Sequence, residues 1–391
     1  MPKINHEILT WARESFGLTI EEAAKRLILK DSNNSSGVEK LGEYENGKKE
    51  PTRPILLKMS KLYQKPLLMF YLERPPKKGN RGEDFRTLNN KVNPKDNAYI
   101  DVLIRNVKAR QSLLRDTLLD EDEAIRLNYI GSANMKQSVS KIATDISKTL
   151  AFNLDQFRSN ENIDGAFRYL RELAEQVGMY VLLIGNLGSH HTNIDAQTFR
   201  GFVLADEFAP FVIINDLDAK VAWSFTLLHE IAHLWLGQTG ISGASDENKA
   251  EKFCNEIASE ILLPSAEVAN FSPNLLDFDA LARDISKFAQ ARNISSQLVC
   301  YRLYQIGTLD KGIWNKLNSF YTKSWLENQK KEKEKNKQKE GGPDYFIIRR
   351  QKLGRSIVRF AKRMIQSGAL TTTRAGLLLG IKPLKVQKLL E

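Results

Sequence analysis

At 391 residues the chain is long for one domain, and a 42% hydrophobic content supports at least one sizeable core in two or three units. No apolar run reaches the ~18 residues that span a bilayer, and MPKINHEILTWARE lacks the layout of a signal peptide. Two cysteines, Cys254 and Cys300, exclude a disulfide framework and a thiolate cluster, so the expected compartment is the cytoplasm.

The net charge of +11 is unevenly placed. From Glu327 onward there are 17 basic and 6 acidic residues, whereas the first 326 residues hold 41 of each sign. A basic tail on a neutral body suits an acidic partner, nucleic acid first among them. For the mixed run NQKKEKEKNKQKE the simpler reading is a solvated linker.

In chain order, residues 1–75 read as short helices. Ile8, Leu9, Trp11 and Ala12 recur at helical spacing up to Gly17. Thr19 with Glu22 three residues later makes a capping box ahead of Ala23, Ala24 and Leu27. VEKLGEYENGKKEPTRP then leads into ILLKMSKLYQKPL. LTIEEAAKRL and YENGKKEPT resemble an Xre/Cro-type helix-turn-helix, which implies a recognition helix near Gly37–Tyr44. That helix offers Glu39, Glu43 and Glu45 against Lys40, and carboxylates repel phosphate. A docking module that has kept the fold without the groove contacts is the alternative.

Residues 76–175 are expected as a Pro/Gly-rich connector, containing DFRTL, and a helical scaffold with periodic apolar faces. MYVLLIG, FRGFVLAD and PFVIINDL read as strands. AKVAWSFTLLHEIAHLWLG reads as a helix ended by Gly237, and ENKAEKFCNEIASEILL as another ended by Pro264. The expected core is 176–264, followed by a small helical unit (265–324), a charged linker (325–342) and a basic helical module (343–391). In the last, ALTTTRAGLLLGIKPLKV fits a second helix-turn-helix, with Thr371 or Thr372 as cap and Gly380 in the turn. This end has the better electrostatics for nucleic acid.

The chemistry sits in HEIAH. His229 and His233, four apart on a helix, place both imidazoles on one face. Two imidazoles and a carboxylate leave a tetrahedral zinc with an open position for water. Glu230 projects alongside the metal, where it can take a proton from that water and pass it to the leaving amine. Two surface histidines on a core helix are the alternative, but two of only five histidines fall on this one face. The third ligand is expected on the next acidic helix, from Asp246, Glu247, Glu251, Glu256 and Glu260.

FVIIND, FTLLHEIAHLWLG and ExxCNxxASxILLP resemble the ImmA/IrrE family of metallo-endopeptidases over about residues 200–264. The resemblance implies a mostly helical α+β fold, with a gluzincin-like core of a small sheet and the HExxH helix beside helix-turn-helix modules. It implies Glu251 as the third zinc ligand, with Glu247 the runner-up, and Asn255 as a helper one turn on. Cys254 and Ile257 stand where the family has Ala and Phe, both apolar packing positions. The strand Val212, Ile213, Ile214 and Asn215 is expected as an edge that pairs with an extended peptide substrate. His190 and His191 carry no assigned role.

The function implied is a zinc-dependent endopeptidase that cuts a regulatory protein such as a DNA-binding repressor. The alternative is a non-proteolytic transcriptional regulator or antitoxin that binds DNA or a partner toxin. The intact Glu230 favours the enzyme, since a pure binder has no use for it.

Overall fold

A computed structural model describes residues 3–29, 31, 35–76, 94–242, 249–337, 342 and 344–391. The DFRTL connector and the candidate ligands Asp246 and Glu247 lie outside the described residues. The chain divides into two compact units, 1–106 with 186–194, and 107–185 with 195–391. Among the described residues no helix is long and apolar enough to cross a membrane.

The first unit opens with α1 (His6–Ser15), α2 (Ile20–Leu27), α3 (Gly37–Glu45) and α4 (Arg53–Leu62). The capping box of Thr19 and Glu22 forms as expected, and Ser36 with Glu39 makes a second one at α3. Each satisfies amide groups that the first helical turn leaves open. Ile8, Leu9, Ala12, Ala23, Leu27, Leu41 and Met59 are buried. Glu45 turns inward from α3 and accepts from Arg13 Nε at 2.8 Å and Nη2 at 2.9 Å. One of the three carboxylates expected on that helix is therefore consumed internally. The long helix α5 (Pro94–Asp120) begins in this unit, and the division falls after Asn106.

In the second unit, α6 (Val139–Thr149), α7 (Leu154–Arg158) and α8 (Ile163–Gln176) precede a four-stranded sheet. Its strands are β1 (Tyr180–Leu183), β2 (Gly201–Leu204), β3 (Phe211–Ile214) and β4 (Gly240–Ser242), in the order β1-β3-β2-β4. β1 runs parallel to β3, and β2 pairs antiparallel with both β3 and β4. The sheet packs on α9 (Lys220–Trp235), which carries HEIAH and is buried almost all round from Trp223 to Trp235. α10 (Lys249–Leu262) lies against α9 and α6. The fold is α+β and mostly helical.

The strand expected as a substrate-pairing edge is internal. β3 is hydrogen-bonded on both sides, with Val212 opposite Val181 and Val203, and all four of its residues are buried. Val212, Ile213 and Ile214 therefore have no open edge to offer a peptide. The side chain of Asn215 is spent too: Nδ2 donates to Phe199 O at 3.0 Å and Oδ1 accepts from Leu217 N at 3.0 Å. The unbroken apolar run FVII is the pattern of a strand covered on both faces, whereas a half-solvated strand alternates. The sheet edges are β1 and β4.

After Pro264 come α11 (Ser265–Ala269), α12 (Phe278–Gln290), α13 (Ser296–Gln305) and α14 (Lys311–Lys337). The stretch expected as a charged linker continues α14 as far as Lys337. Glu327, three and four residues before Lys330 and Lys331, is the charge order that favours a helix. α15 (Tyr345–Leu353), α16 (Arg355–Gln366), α17 (Thr372–Leu379) and α18 (Val386–Leu390) end the chain. Thr371 caps α17, and Gly380 closes it in the left-handed conformation.

These last helices are joined to the sheet by α8. Glu175 Oε2 accepts from the amides of Arg355 and Ser356 at 3.0 Å each, so α8 supplies the N-cap that Gly354, having no side chain, cannot give α16. Gly354 has φ +84°, and a Cβ there would collide with Glu175 and Arg171. Arg171 donates to Gln351 O at 2.6 Å, to Lys352 O at 3.1 Å and to Val181 O in β1.

Candidate metal centre

α9 forms because a long apolar stretch, without Pro or Gly between Lys220 and Trp235, runs into Gly237 at φ +67°. Its burial carries His229, Glu230 and His233 into the interior, Glu230 completely. The two imidazoles share one face, with Nε2 of His229 and Nε2 of His233 3.1 Å apart. Glu251, in the first turn of α10, lies 3.2 Å from each: Oε2 to His229 Nε2 and Oε1 to His233 Nε2.

The two imidazole nitrogens and the carboxylate make a nearly equilateral triangle, with a different oxygen of Glu251 facing each histidine. A tetrahedral zinc with bonds of about 2.0–2.1 Å requires its ligand atoms to be about 3.3 Å apart. The observed 3.1–3.2 Å fits, as does the two-imidazole, one-carboxylate donor set. Among the described residues this is the one cluster of three such groups positioned to hold a metal ion. Burial pushes the Glu251 carboxyl up, but hydrogen bonds from His229 and His233 outweigh it and bring its pKa to about 2. Burial is also the main cause that lowers the pKa of His229, which favours the neutral, ligating imidazole.

Residues around the triangle hold it in place. Gln238 Oε1 lies 3.2 Å from His233 Nδ1, and the amide of Gln238 donates to the His233 carbonyl at 2.9 Å. An Nδ1–H donated to Gln238 leaves the Nε2 lone pair facing the centre. Asn255 hydrogen-bonds His229 from α10. Cys254 is fully buried, its thiol pKa raised by burial, and it lies in hydrogen-bonding contact with His233. Sequence reasoning put Cys254 and Ile257 among apolar packing positions, and both are in the core. Glu256 and Glu260, two other acids weighed as ligands, stand outside the cluster. Glu260 instead accepts from Arg302 Nη2 at 2.5 Å and from Ser265.

Gly201 was not singled out by sequence. It begins β2 directly against α9, and a Cβ on it would sit 2.8 Å from Glu230 Oε1 and 2.8 Å from Thr226 Cγ2. Only a residue without a side chain lets the strand approach the glutamate this closely. The sequence signal, a glycine inside the strand pattern FRGFVLAD, marks either a bulge or a close approach.

His229, Glu251 and Asn255 open onto a cavity of about 390 Å³. Its far wall comes from helices to which the sequence assigned no chemistry: Gln297, Leu298 and Tyr301 of α13, with Trp314 and Asn318 of α14. Arg302 fixes that wall, donating from α13 to Leu263 O at 3.1 Å as well as to Glu260, and so ties α13 to the end of α10. His190 and His191 lie in the other unit, exposed, with ring centres 3.8 Å apart.

No curated protein and no solved structure matches the chain. Residues 174–304, which run from the end of α8 into α13 and hold all three converging side chains, match the family model Peptidase_M78, an IrrE N-terminal-like domain, so this stretch is similar to a family of metallopeptidases.

Proposed function

We propose that this protein is a zinc-dependent endopeptidase that cleaves a regulatory protein such as a DNA-binding repressor. The observation that carries the reading is the triangle of His229, His233 and Glu251 with the buried carboxylate of Glu230 beside it, at the head of an open cavity. When bound there, zinc supplies a Lewis acid that acidifies water and polarises a carbonyl. Glu230 accepts the proton of the attacking water and delivers it to the leaving amine. Gly201 sets the depth of that carboxylate, and Gln238 orients the imidazole of His233. A regulatory protein as target rests on the resemblance to ImmA/IrrE peptidases, with the N-terminal helices as the helix-turn-helix module that recognises it.

The test is a comparison of new protein N-termini in a cell lysate treated with the zinc-loaded parent or with Glu230→Gln. The reading expects one or a few cuts, made by the parent alone, within a DNA-binding protein. Identical termini in both samples, with zinc bound in both, would reject proteolysis.

A further inference from the structure

We propose that Arg200 makes the cleft selective for substrates that carry an acidic side chain next to the scissile bond. The inference rests on the peptidase reading above and names the substrate class of the same site.

Position is the first argument. Arg200 immediately precedes Gly201, so its Cα is about 3.8 Å from the Cα that lies flush against Glu230. Its side chain lines the same cavity as His229 and Glu251. Arg200 therefore borders the same cleft as His229 and Glu251, in which a substrate residue beside the bond under attack has to lie.

Charge is the second. Among the described residues that line the cavity, Arg200 is the one permanent cation. Glu230 and Glu251 together balance a divalent ion, and the carboxylate nearest Arg200, Asp218, stands 4.0 Å away and is not among the residues lining the cavity. The far wall adds the amides of Gln297 and Asn318 and the hydroxyl of Tyr301, and no described carboxylate there opposes an incoming acid.

Availability is the third. The structural arginines of this unit are held by short contacts: Arg302 lies 2.5 Å from Glu260, and Arg158 lies 2.6 Å from Glu267. Arg200 is half exposed, and its Nε lies 4.0 Å from Asp218 Oδ2, beyond hydrogen-bond range. Asp218 in turn accepts from the Ala219 amide at 2.8 Å. At that distance Asp218 does not occupy the donor fork of Arg200, which can take a second carboxylate bidentately.

The test uses three peptide hydroxamates that differ only in one side chain beside the zinc-binding group: Glu, Gln or Lys. Their binding to the zinc-loaded full chain is measured calorimetrically for the parent, Arg200→Gln and Arg200→Glu. The parent is expected to bind the Glu probe about tenfold or more tighter than the Lys probe, Arg200→Gln to lose the preference, and Arg200→Glu to reverse it. The Gln probe should bind all three proteins within about threefold, which shows that each variant is folded. Equal binding of the Glu and Lys probes to the parent, or a preference that survives in Arg200→Glu, overturns the proposal. If no hydroxamate binds and no zinc is retained, the metal-site reading beneath it has failed instead.

Discussion

Gly201 and Glu230 are in contact across the interface of β2 and α9, and the contact exists because residue 201 has no side chain. Of the atoms a methyl group would meet there, one is the carboxylate oxygen of the proposed general base. A strand residue with no reactive group thus sets the position of the most buried acid in the centre.

Gly201→Ala should therefore damage catalysis more than metal binding. Overpacking costs about 1–3 kcal/mol, and displacing a reacting group by about 1 Å lowers turnover about a hundredfold. Zinc content should stay at the parental level, because the methyl meets Glu230 and Thr226 and none of the three ligands. Urea unfolding, metal analysis and cleavage of the identified target check the three parts separately.

Metal content distinguishes the roles within HEIAH. The parent should hold one zinc per chain, Glu230→Gln should keep it, and His233→Ala should lose most of it. Gln238→Ala removes only the acceptor behind His233, and should weaken zinc affinity by about 10–100-fold. Competition against a zinc-chelating dye gives the ranking. An unchanged affinity in Gln238→Ala would mean that His233 is oriented by the helix alone.

Acid should strip the metal through the histidines. With a pKa brought down to about 2, Glu251 stays ionised throughout the range in which imidazoles protonate, so it takes up no proton there. Its own contribution to the metal-free fold has the sign of a depressed carboxyl: present above the ordinary carboxylate range, and lost only as pH falls toward about 2. Zinc affinity should accordingly fall in two separated one-proton steps, since burial lowers His229 below the ordinary imidazole range while, against its own burial, the contacts of His233 with Cys254 and Glu251 raise it above that range. A pH series of zinc titrations measures the slope, and a third proton in that range would contradict this account of Glu251.

The cap that Glu175 provides predicts a defect far from the cleft. Glu175→Ala leaves the amides of Arg355 and Ser356 without their acceptor and Arg171 without its carboxylate. Breaking a buried pair of this kind costs about 3–5 kcal/mol. Urea unfolding should register the loss, and hydrogen exchange at the amides of Arg355 and Ser356 should accelerate while α9 stays protected.

What the sequence conveyed was local. Helix α9, its end at Gly237, the caps at Thr19 and Thr371 and three of the four strands follow from spacing, punctuation and side-chain chemistry within about a dozen residues. The order of the strands did not follow, because it depends on β4, three residues of Gly-Ile-Ser with no strand pattern of their own. β3 is internal because β1 and β2 both pair with it, and nothing within the run FVII says which strands will flank it, so it read as an edge. Gln238, Arg302 and the wall around Tyr301 were equally silent. Each acts on something remote in sequence or lies in a loop, and polar residues in such places read only as solvated surface.

The trans-cap at α16 changes how the chain can be cut. A fragment ending before Tyr345 would keep every residue of the metal triangle, yet it would uncover β1, which α15 packs against. It would also strip Glu175 of its two amide donors and Arg171 of the carbonyls of Gln351 and Lys352. A bare strand edge is a template for pairing with another chain. The basic helices that look like a detachable appendage are in this sense the stopper on the sheet. A catalytic fragment designed from the family match alone would therefore be recovered as aggregate.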